Sequence, residues 1–216
     1  MHSLVVATNN RGKLEELRAL LEGLPIELLT LADVGAKDMV IVEDGATFEQ
    51  NAIKKARAVA DATMMMTIAD DSGLEVDALG GQPGVRSARF AHERATDAEN
   101  NAALLTRLED MGDTPDRFPA RFRCVLALVD PYEGGEPHLS EGRCEGVITK
   151  TPRGTGGFGY DPLFLVEGGD KTMAELAAEE KNRISHRALA CLRLRPVLER
   201  ALLDRDEKIR KILGAS

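Results

Sequence analysis

Short apolar runs and helix-period segments alternate along the first part of the chain. Residues 4–7 predict a buried strand, and a polar stretch then leads to leucines that recur at helical spacing between positions 14 and 24. Two further apolar runs, residues 26–31 and 39–42, predict short strands. This alternation of strand, polar loop and helix is typical of α/β proteins.

Two threonines are followed three residues later by a glutamine or a glutamate, a spacing that marks helix starts. Thr47 can cap a helix while Gln50 reaches back, and Thr96 with Glu99 repeats the pattern. Between these two helix starts, residues 64–69 predict a buried strand.

The middle of the chain is rich in strand-forming residues. Residues 122–129 predict an apolar strand, and residues 147–149 predict its partner. A glycine-dense loop at 154–159 precedes another apolar run, 163–166. Helices early in the chain and strands in the middle predict an α/β fold with a mixed central β-sheet and flanking helices.

The last third of the chain has the pattern of helices. Thr172 with Glu175 predicts one helix start, and Ser185 predicts another. The final helix is expected to kink or restart near Pro196, because proline lacks the N–H that a helix interior uses. The charged residues 204–211 predict a solvated helical tail.

Length and composition indicate an ordinary globular protein. The chain has 216 residues, and at about 150 residues per domain this predicts a single domain over residues 1–216. Hydrophobic residues make up 43% and charged residues 30%, which excludes an intrinsically disordered chain. No apolar run approaches the roughly 18 residues of a membrane span, so we expect no membrane insertion.

The net charge and the cysteines indicate which partners and which cellular compartment to expect. The formal charge of −8 argues against nonspecific binding of nucleic acid, because an acidic surface repels phosphate backbones. Cys124, Cys144 and Cys191 are odd in number and show no metal-ligand spacing. The N-terminus lacks the basic and apolar regions of a signal peptide. These features predict a protein of the reducing cytoplasm.

The first candidate for chemistry is the polar loop that links the first predicted strand and helix. It reads Thr8-Asn9-Asn10-Arg11-Gly12-Lys13. Such a loop points backbone N–H groups and the positive end of a helix at one place, which suits phosphate. The spacing of a Walker A loop is missing. An ordinary polar turn remains the alternative interpretation.

The second candidate is acidic. Asp70 and Asp71 follow the predicted strand at 64–69, and adjacent carboxylates repel each other unless a cation or strong donors offset their charge. Mg²⁺ prefers one or two carboxylates together with phosphate oxygens. Glu43 follows the strand predicted at 39–42 and is a further carboxylate source. An acidic turn explains the Asp70-Asp71 segment equally well, and taken singly it is the better interpretation of the Glu43 segment.

The third candidate is the glycine-dense loop. Gly154, Gly156 and Gly159 match the pattern of a dinucleotide-binding fingerprint, but Pro162 and an apolar strand follow where that motif needs a helix. A loop carrying Phe158 and an adjacent tyrosine can instead offer an aromatic face to a base. A tight turn with a core phenylalanine is the alternative.

The fourth candidate lies at the start of the last predicted helix. His186 and Arg187 follow Ser185, and Lys181 lies one helical turn earlier. Their donors could bind the keto oxygen of a purine. A solvated His-Arg pair on the surface is the alternative.

Together, six ordered segments of this chain resemble the inosine triphosphate pyrophosphatase family. They extend from the first loop to the last helix, so the resemblance covers nearly the whole chain. Each segment alone is a weak signal, whereas the ordered set is specific. The matching segments are residues 7–13, 47–52, 69–74, 80–89, 154–162 and 185–187.

The resemblance implies a fold and a reaction. The fold would be an α/β structure with a mixed central sheet and two lobes around a nucleotide-binding cleft, found as a homodimer. The reaction would be the Mg²⁺-dependent hydrolysis of ITP, dITP and XTP to the monophosphate and pyrophosphate. Such an enzyme removes deaminated purines from the nucleotide pool.

The resemblance also implies roles for individual residues. Asp71 matches the catalytic acidic residue, and Asp71 with Glu43 would hold the metal. Substrate contacts would come from Thr8, Asn9, Asn10, Arg11, Gly12, Lys13 and Lys55 around the phosphates, from Ser72, and from Phe158, Gly159, Tyr160, Asp161, Lys181, His186 and Arg187 around the base.

Two departures and two alternatives accompany this resemblance. The methionine run at 64–66 replaces a less methionine-rich segment and is expected to fill the core. The tail from Asp204 onward is longer than usual in this family. A Maf-like pyrophosphatase is the alternative enzyme, and a nucleotide-binding regulator without turnover is the alternative from another class.

Overall fold

A computed structural model of the protein describes residues 1–112 and 116–214. Helices and strands alternate up to the third strand, and a pair of long antiparallel strands follows. The strands are β1 (His2–Val6), β2 (Ile26–Leu29), β3 (Thr67–Val76), β4 (Arg117–Val129), β5 (His138–Thr149) and β6 (Phe164–Val166). The α-helices are α1 (Arg11–Leu20), α2 (Phe48–Thr63), α3 (Asp97–Glu109), α4 (Ala178–Ile184) and α5 (His186–Ile212).

Within the described residues, the six strands form one sheet in the order β2-β1-β3-β4-β5-β6. β1 pairs in parallel with β2 and with β3, whereas the pairings from β3 through β6 are antiparallel. The parallel pairs follow helical crossovers, as parallel strands require, whereas the antiparallel strands β4 and β5 are joined by the short connection 130–137. The prediction of an α/β fold with a mixed sheet is confirmed.

Apolar side chains pack on both faces of this sheet. On one face, α1 and α5 cover β1, β3 and β4, with Leu17 and Leu194 among the fully buried residues. On the other face α2 packs through the small side chains Ala52 and Ala56. α3 packs over the far end of β3 and β4 through Leu104. The helical spacing of the leucines between positions 14 and 24 therefore predicted the buried face of α1 correctly.

Three predicted strands differ from the structure. The partner strand predicted at 147–149 is longer and begins at His138, and its earlier residues 138–144 are the ones that pair with residues 122–128. Residues 39–42 lie outside any strand, and Val40 and Val42 are exposed, so the prediction of a strand there is wrong. A short apolar run is ambiguous because it forms a strand only where a neighbour supplies hydrogen bonds. The strand predicted at 64–69 begins later, at Thr67, because Met64 ends α2 in a left-handed conformation. Of the methionine run only Met66 is fully buried, and Met64 is half exposed.

The C-terminal helices also differ in detail. Thr172 and Glu175 form a capping box, but it opens a single 3-10 turn, Met173–Glu175, rather than an α-helix. Ser185 caps α5 as predicted, and this helix continues through Pro196 to Ile212, so it does not restart at the proline. None of the helices in the described part of the chain has the length and apolar character that a bilayer span requires.

Candidate active site

The acidic pair lies within β3 and not after its end, which corrects the sequence prediction. Successive side chains of a strand point to opposite faces of the sheet, so Asp70 and Asp71 face different surroundings. Each carboxylate has its own lysine, Lys13 for Asp70 and Lys55 for Asp71. The repulsion expected between adjacent carboxylates is therefore relieved by separating them and pairing each with a cation.

Asp71 faces α2 and forms a buried cluster with Lys55 and Glu43. The Lys55 Nζ atom lies 2.8 Å from Asp71 Oδ1 and 3.0 Å from Glu43 Oε2, so one ammonium bridges both carboxylates. Asn51 lies one helical turn before Lys55 and donates its side-chain N–H to Asp71 Oδ2 at 3.2 Å. The side-chain oxygen of Asn51 accepts the N–H of Gly45, and this contact connects the loop that carries Glu43 to α2.

The two carboxylates of this cluster have different proton affinities. Burial raises the pKa of Asp71 above its ordinary value, and the charge of Lys55 only partly offsets this effect. Burial also opposes ionisation of Glu43, but the charge and hydrogen bond of Lys55 hold the pKa of Glu43 below its ordinary value. Asp71 is therefore the better proton acceptor of the pair, and Glu43 is the more persistent anion.

The donor set of this cluster suits a hard divalent cation. Asp71 and Glu43 offer carboxylate oxygens, and Mg²⁺ binds through one or two carboxylates while substrate phosphates supply further ligands. Among the described residues no group of three or more His, Cys, Asp or Glu side chains forms a metal cage. Two carboxylates are a donor set that fits a cation whose remaining ligands come from phosphate oxygens or water.

Asp70, on the opposite face of β3, is enclosed by donors. Its carboxylate lies 2.7 Å from Arg187 Nε and 2.6 Å from Lys13 Nζ, and it accepts the hydroxyl of Ser72 at 2.8 Å. Although burial favours the neutral acid, Arg187 and Lys13 hold the pKa of Asp70 well below its ordinary value. The sequence offers Asp70 only as one of two adjacent candidate carboxylates, and the structure makes it the anchor of three predicted substrate residues, Lys13, Ser72 and Arg187.

The predicted phosphate loop opens α1, as the sequence indicated. Asn10 caps this helix by accepting the N–H of Lys13, and Thr8 Oγ accepts the N–H of Asn10 at 3.1 Å. Lys13 points inward to Asp70, whereas Arg11 is exposed and pairs with Glu15 on the same helix. Asn9 is exposed at the loop surface. The loop thus supplies helix N–H groups and one inward ammonium.

The glycine-dense loop lies directly beside the phosphate loop. A Cβ atom on Gly12 would come within 2.6 Å of the Phe158 ring, so only glycine allows this close approach. The Lys181 Nζ atom lies 5.1 Å from the centre of the same ring, and the Arg187 guanidinium lies 5.7 Å from it. Phe158 therefore joins the two loops and is surrounded by cations.

Asp161 and Tyr160, which follow Phe158 in the chain, stabilise the conformation of the glycine-dense loop. Asp161 accepts the N–H of Phe158 at 3.0 Å and the ammonium of Lys181 at 2.7 Å. The Tyr160 hydroxyl donates to the Ser87 carbonyl, and burial raises the pKa of Tyr160 above its ordinary value. Tyr160 therefore forms a wall of the site and has no proton to give to a substrate.

His186 lines the cleft as a neutral imidazole. It is fully enclosed and stacks on Phe122 with ring centres 4.8 Å apart. Burial, reinforced by the charge of Arg187, lowers the pKa of His186 well below its ordinary value. Its Nδ1 atom is buried and has no hydrogen-bond partner among the described residues.

Glu16 is a site residue that sequence reasoning missed. It lies 2.7 Å from Lys181 Nζ and also pairs with Arg187, and both cations belong to segments about 170 residues away along the chain. The signal available in the sequence was its position three residues after Lys13, on the same face of α1. Glu16 links the phosphate loop to the cations beside Phe158.

One cleft brings most of the predicted residues together. Its lining includes Asn10, Lys13, Ser72, Phe158, Gly159, Tyr160, Asp161, Lys181, His186 and Arg187. Asp71, Lys55 and Glu43 lie outside this lining, on the other face of β3. The charge of Lys13 reaches both faces of β3, because it favours the ionised form of Asp71 as well as that of Asp70. At Asp71 this contribution is smaller than the effect of burial, so the pKa of Asp71 is still raised.

Comparison with known proteins gives a consistent result. The sequence profile of the Ham1 family matches residues 4–197. The chain is 53% identical over 195 residues to a dITP/XTP pyrophosphatase of Geobacter sulfurreducens, covering 89% of this chain and 96% of that protein. It is 47% identical over 190 residues to a dITP/XTP pyrophosphatase of Escherichia coli, covering 88% of this chain and 94% of the other.

Solved structures agree with the sequence comparison. A HAM1 protein from Coxiella burnetii superposes with a TM-score of 0.82 at 42% identity, covering 92% of this chain and 98% of that one. A nucleoside-triphosphatase, also titled dITP/XTP pyrophosphatase, from Mycobacterium abscessus gives a TM-score of 0.70 at 45% identity, with coverage of 89% and 98%.

Proposed function

The chain belongs to the Ham1 family, and from this premise we propose that it hydrolyses ITP, dITP and XTP to the monophosphate and pyrophosphate. The activity is that of a nucleoside triphosphate pyrophosphatase. The observation that carries the proposal is the arrangement around Lys13, which has a carboxylate cluster on one side and an aromatic pocket with a neutral imidazole on the other. The triphosphate of a nucleotide fits the side with the carboxylate cluster, and its purine fits the aromatic pocket.

The triphosphate is proposed to bind between α1 and the carboxylate cluster. The first N–H groups of α1 and the Lys13 ammonium offer positive charge from one side. Lys55 offers a second ammonium beside Asp71. The loop supplies the polar groups of Thr8, Asn9 and Asn10. Ser72 donates to the same carboxylate of Asp70 that Lys13 contacts, so it lies next to the Lys13 ammonium.

The chemical step is proposed to occur at the α-phosphorus. Water attacks in line with the α–β bridging oxygen, the bond to that oxygen breaks, and pyrophosphate leaves. Asp71 accepts the proton of the water, in keeping with its raised pKa. Lys55 holds the Asp71 carboxylate in place and offsets negative charge as it develops on the phosphate oxygens.

A magnesium ion is proposed as the cofactor of this reaction. Glu43 and Asp71 would hold it, and when bound it would neutralise charge on the phosphate oxygens and on the leaving pyrophosphate. The low pKa of Glu43 keeps that carboxylate anionic at neutral pH, as a cation ligand must be.

The purine is proposed to stack on Phe158, with its edge toward His186 and Arg187. Gly159, Tyr160 and Asp161 shape the pocket, and Lys181 lies at the ring. Donors aimed at the 6-keto oxygen of hypoxanthine or xanthine would be left unpaired by adenine, which carries an amine there. Buried unpaired donors discriminate strongly between such analogues.

We further propose that the whole chain, residues 1–216, acts as one domain and forms a homodimer in the cytoplasm, without nucleic-acid partners. The three cysteines are free thiols and buried, which fits a reducing compartment. Sedimentation of the pure protein as a monomer would refute the homodimer.

The first experiment is hydrolysis of ITP, ATP and GTP in parallel with Mg²⁺ and identification of the products. We expect inosine monophosphate and pyrophosphate from ITP, with ATP and GTP nearly untouched. Inosine diphosphate and phosphate would overturn attack at the α-phosphorus. Equal use of ATP would favour a Maf-like pyrophosphatase, and no turnover of any nucleotide would favour a binding protein.

A further inference from the structure

Helix α3 contacts the glycine-dense loop through the backbone N–H and the backbone carbonyl of Gly159. The Gly159 N–H donates to Asp97 Oδ2 at 2.7 Å. The Asn101 side-chain N–H donates to the Gly159 carbonyl at 2.9 Å. Asp97 and Asn101 lie one helical turn apart on α3, so they face the loop together. We call this pair of contacts the Gly159 clasp.

The clasp acts on the residue next to Phe158. Gly159 has a φ of +63°, a conformation that glycine adopts readily and that other residues rarely adopt. Glycine is also the residue with the greatest backbone freedom, so this conformation needs external contacts to persist. Asp161 holds the Phe158 N–H from the other side. The peptide groups on both sides of Phe158 are therefore fixed by side chains.

The start of α3 is itself firmly held. Thr96 and Glu99 form a capping box at the first turn of the helix. Asn100 is buried, accepts the N–H of Ala91 and donates to the Ala88 carbonyl. Since α3 and the segment before it form one wall of the cleft and the glycine-dense loop forms the other, the clasp joins the two walls beside Phe158.

Asn101 carries a buried oxygen atom that costs the fold stability. Its side-chain Oδ1 atom is buried and has no hydrogen-bond partner among the described residues. A buried acceptor without a partner destabilises the folded state, and an alanine at this position would avoid that cost. The contact that Asn101 makes in return is the one to the Gly159 carbonyl.

We propose that Asp97 and Asn101 are positioning residues for the purine base: through Gly159 they hold Phe158 in the place where the base stacks. This inference rests on the proposed function. Neither residue belongs to the phosphate loop or to the carboxylate cluster, so the clasp contributes to binding of the base and not to the chemical step. Its loss raises KM and leaves kcat nearly unchanged.

The test uses four variants of the full chain. Asp97→Ala and Asn101→Ala each remove one contact, and each is expected to raise KM for ITP about fivefold, in line with the loss of one hydrogen bond. Asp97→Asn keeps an oxygen that can accept the Gly159 N–H, and it is expected to restore most of the affinity. Thr106→Ala, on an exposed position of the same helix, is the matched control.

Thermal unfolding separates positioning from a merely structural role. Asn101→Ala removes the unpaired buried oxygen, so its Tm is expected to stay the same or to rise while KM rises. A lower Tm with unchanged KM would overturn the proposal. Binding of inorganic tripolyphosphate, which carries no base, is expected to be equal in all variants. Weaker tripolyphosphate binding in the alanine variants would also overturn it.

Failure of the proposed function is distinguishable from failure of the clasp. If the wild-type protein does not hydrolyse ITP, the proposed reaction is wrong, and the clasp is then judged by calorimetric binding of inosine monophosphate. Weaker binding in Asp97→Ala than in Asp97→Asn supports the clasp. Equal binding in wild type, Asp97→Ala and Asn101→Ala overturns it.

Discussion

Two adjacent aspartates show how strongly a single position in a strand decides the role of a residue. Asp70 is enclosed by Arg187 and Lys13 and is held as an anion, whereas Asp71 shares Lys55 with Glu43 and has a raised pKa. The first arrangement stabilises the site, and the second leaves a carboxylate able to accept a proton. The difference arises because neighbouring side chains of β3 face opposite sides of the sheet.

This contrast predicts that the same substitution affects activity at Asp71 and stability at Asp70. Asp71→Asn removes the proton acceptor and is expected to lower kcat by at least about 100-fold while the protein stays folded. Asp70→Asn removes one of the two carboxylates that pair with the buried Arg187, and it is expected to destabilise the fold by about 3 kcal/mol. Steady-state kinetics and urea unfolding of both variants measure the two effects. Retained turnover in Asp71→Asn would remove Asp71 from the chemical step.

At the scale of elements, capping residues set the helix starts and local sequence reveals them. Thr47, Thr96 and Ser185 each cap the helix that the pattern assigned to them. One detail differs, because Gln50 accepts the N–H of Ala46 and not that of Thr47. Strand bounds were predicted less well, since a strand depends on partners that are distant in sequence.

The capping box of α3 predicts a pH dependence of stability. The Thr96 N–H and hydroxyl bond the Glu99 carboxylate, and with His92 they lower the pKa of Glu99 to about 2. A lowered pKa means that the contribution of the carboxylate is present above its ordinary pKa and is lost as pH falls through the lowered one. The Tm gap between wild type and Glu99→Gln is therefore expected to be constant above about pH 5 and to shrink toward about pH 2.

Thermal unfolding of both proteins across this range checks the prediction. Glu109→Gln, at the other end of the same helix, is the control for removing an exposed glutamate from α3. A gap that stays equal from neutral to strongly acidic pH would show that the ionised carboxylate of Glu99 does not support the helix start.

At the scale of the whole molecule, the C-terminal part of α5 forms ion pairs with residues of β1 and of the segment that follows β4. The charged tail was expected to be solvated, but Arg205 forms two 2.7 Å contacts with the buried carboxylate of Asp130, just after β4. Lys208 pairs with Glu133, and Asp206 contacts His2. This part of the helix lies beyond residue 197, where the match to the Ham1 family profile ends.

The Arg205–Asp130 pair is expected to stabilise the fold measurably. Arg205→Met leaves a buried carboxylate unpaired and should lower the free energy of unfolding by about 2 kcal/mol. Arg200→Met is the matched control, because Arg200 pairs with Asp204 on the exposed face of the same helix and should cost at most about 0.5 kcal/mol. Equal effects of the two substitutions in urea unfolding would contradict a fastening role for Arg205.

The sequence by itself determined what depends on near neighbours along the chain. Hydrophobic period identified the helices and the main strands, capping residues placed the helix starts, and the ordered motifs from residue 7 to residue 187 identified the family. Each of these signals is local, because a helix face, a cap or a loop is built from residues within about four positions of one another.

Only the tertiary structure decided which charged side chains meet partners that are distant in the chain. Asp70 with Arg187, Glu16 with Lys181, and Asp97 with Gly159 are contacts between residues that are distant in the chain. No period or spacing encodes such pairs, because the positions of helices and strands in the packed fold bring them together. The same packing buries Asp71 and raises its pKa, a property that the residue does not have by itself.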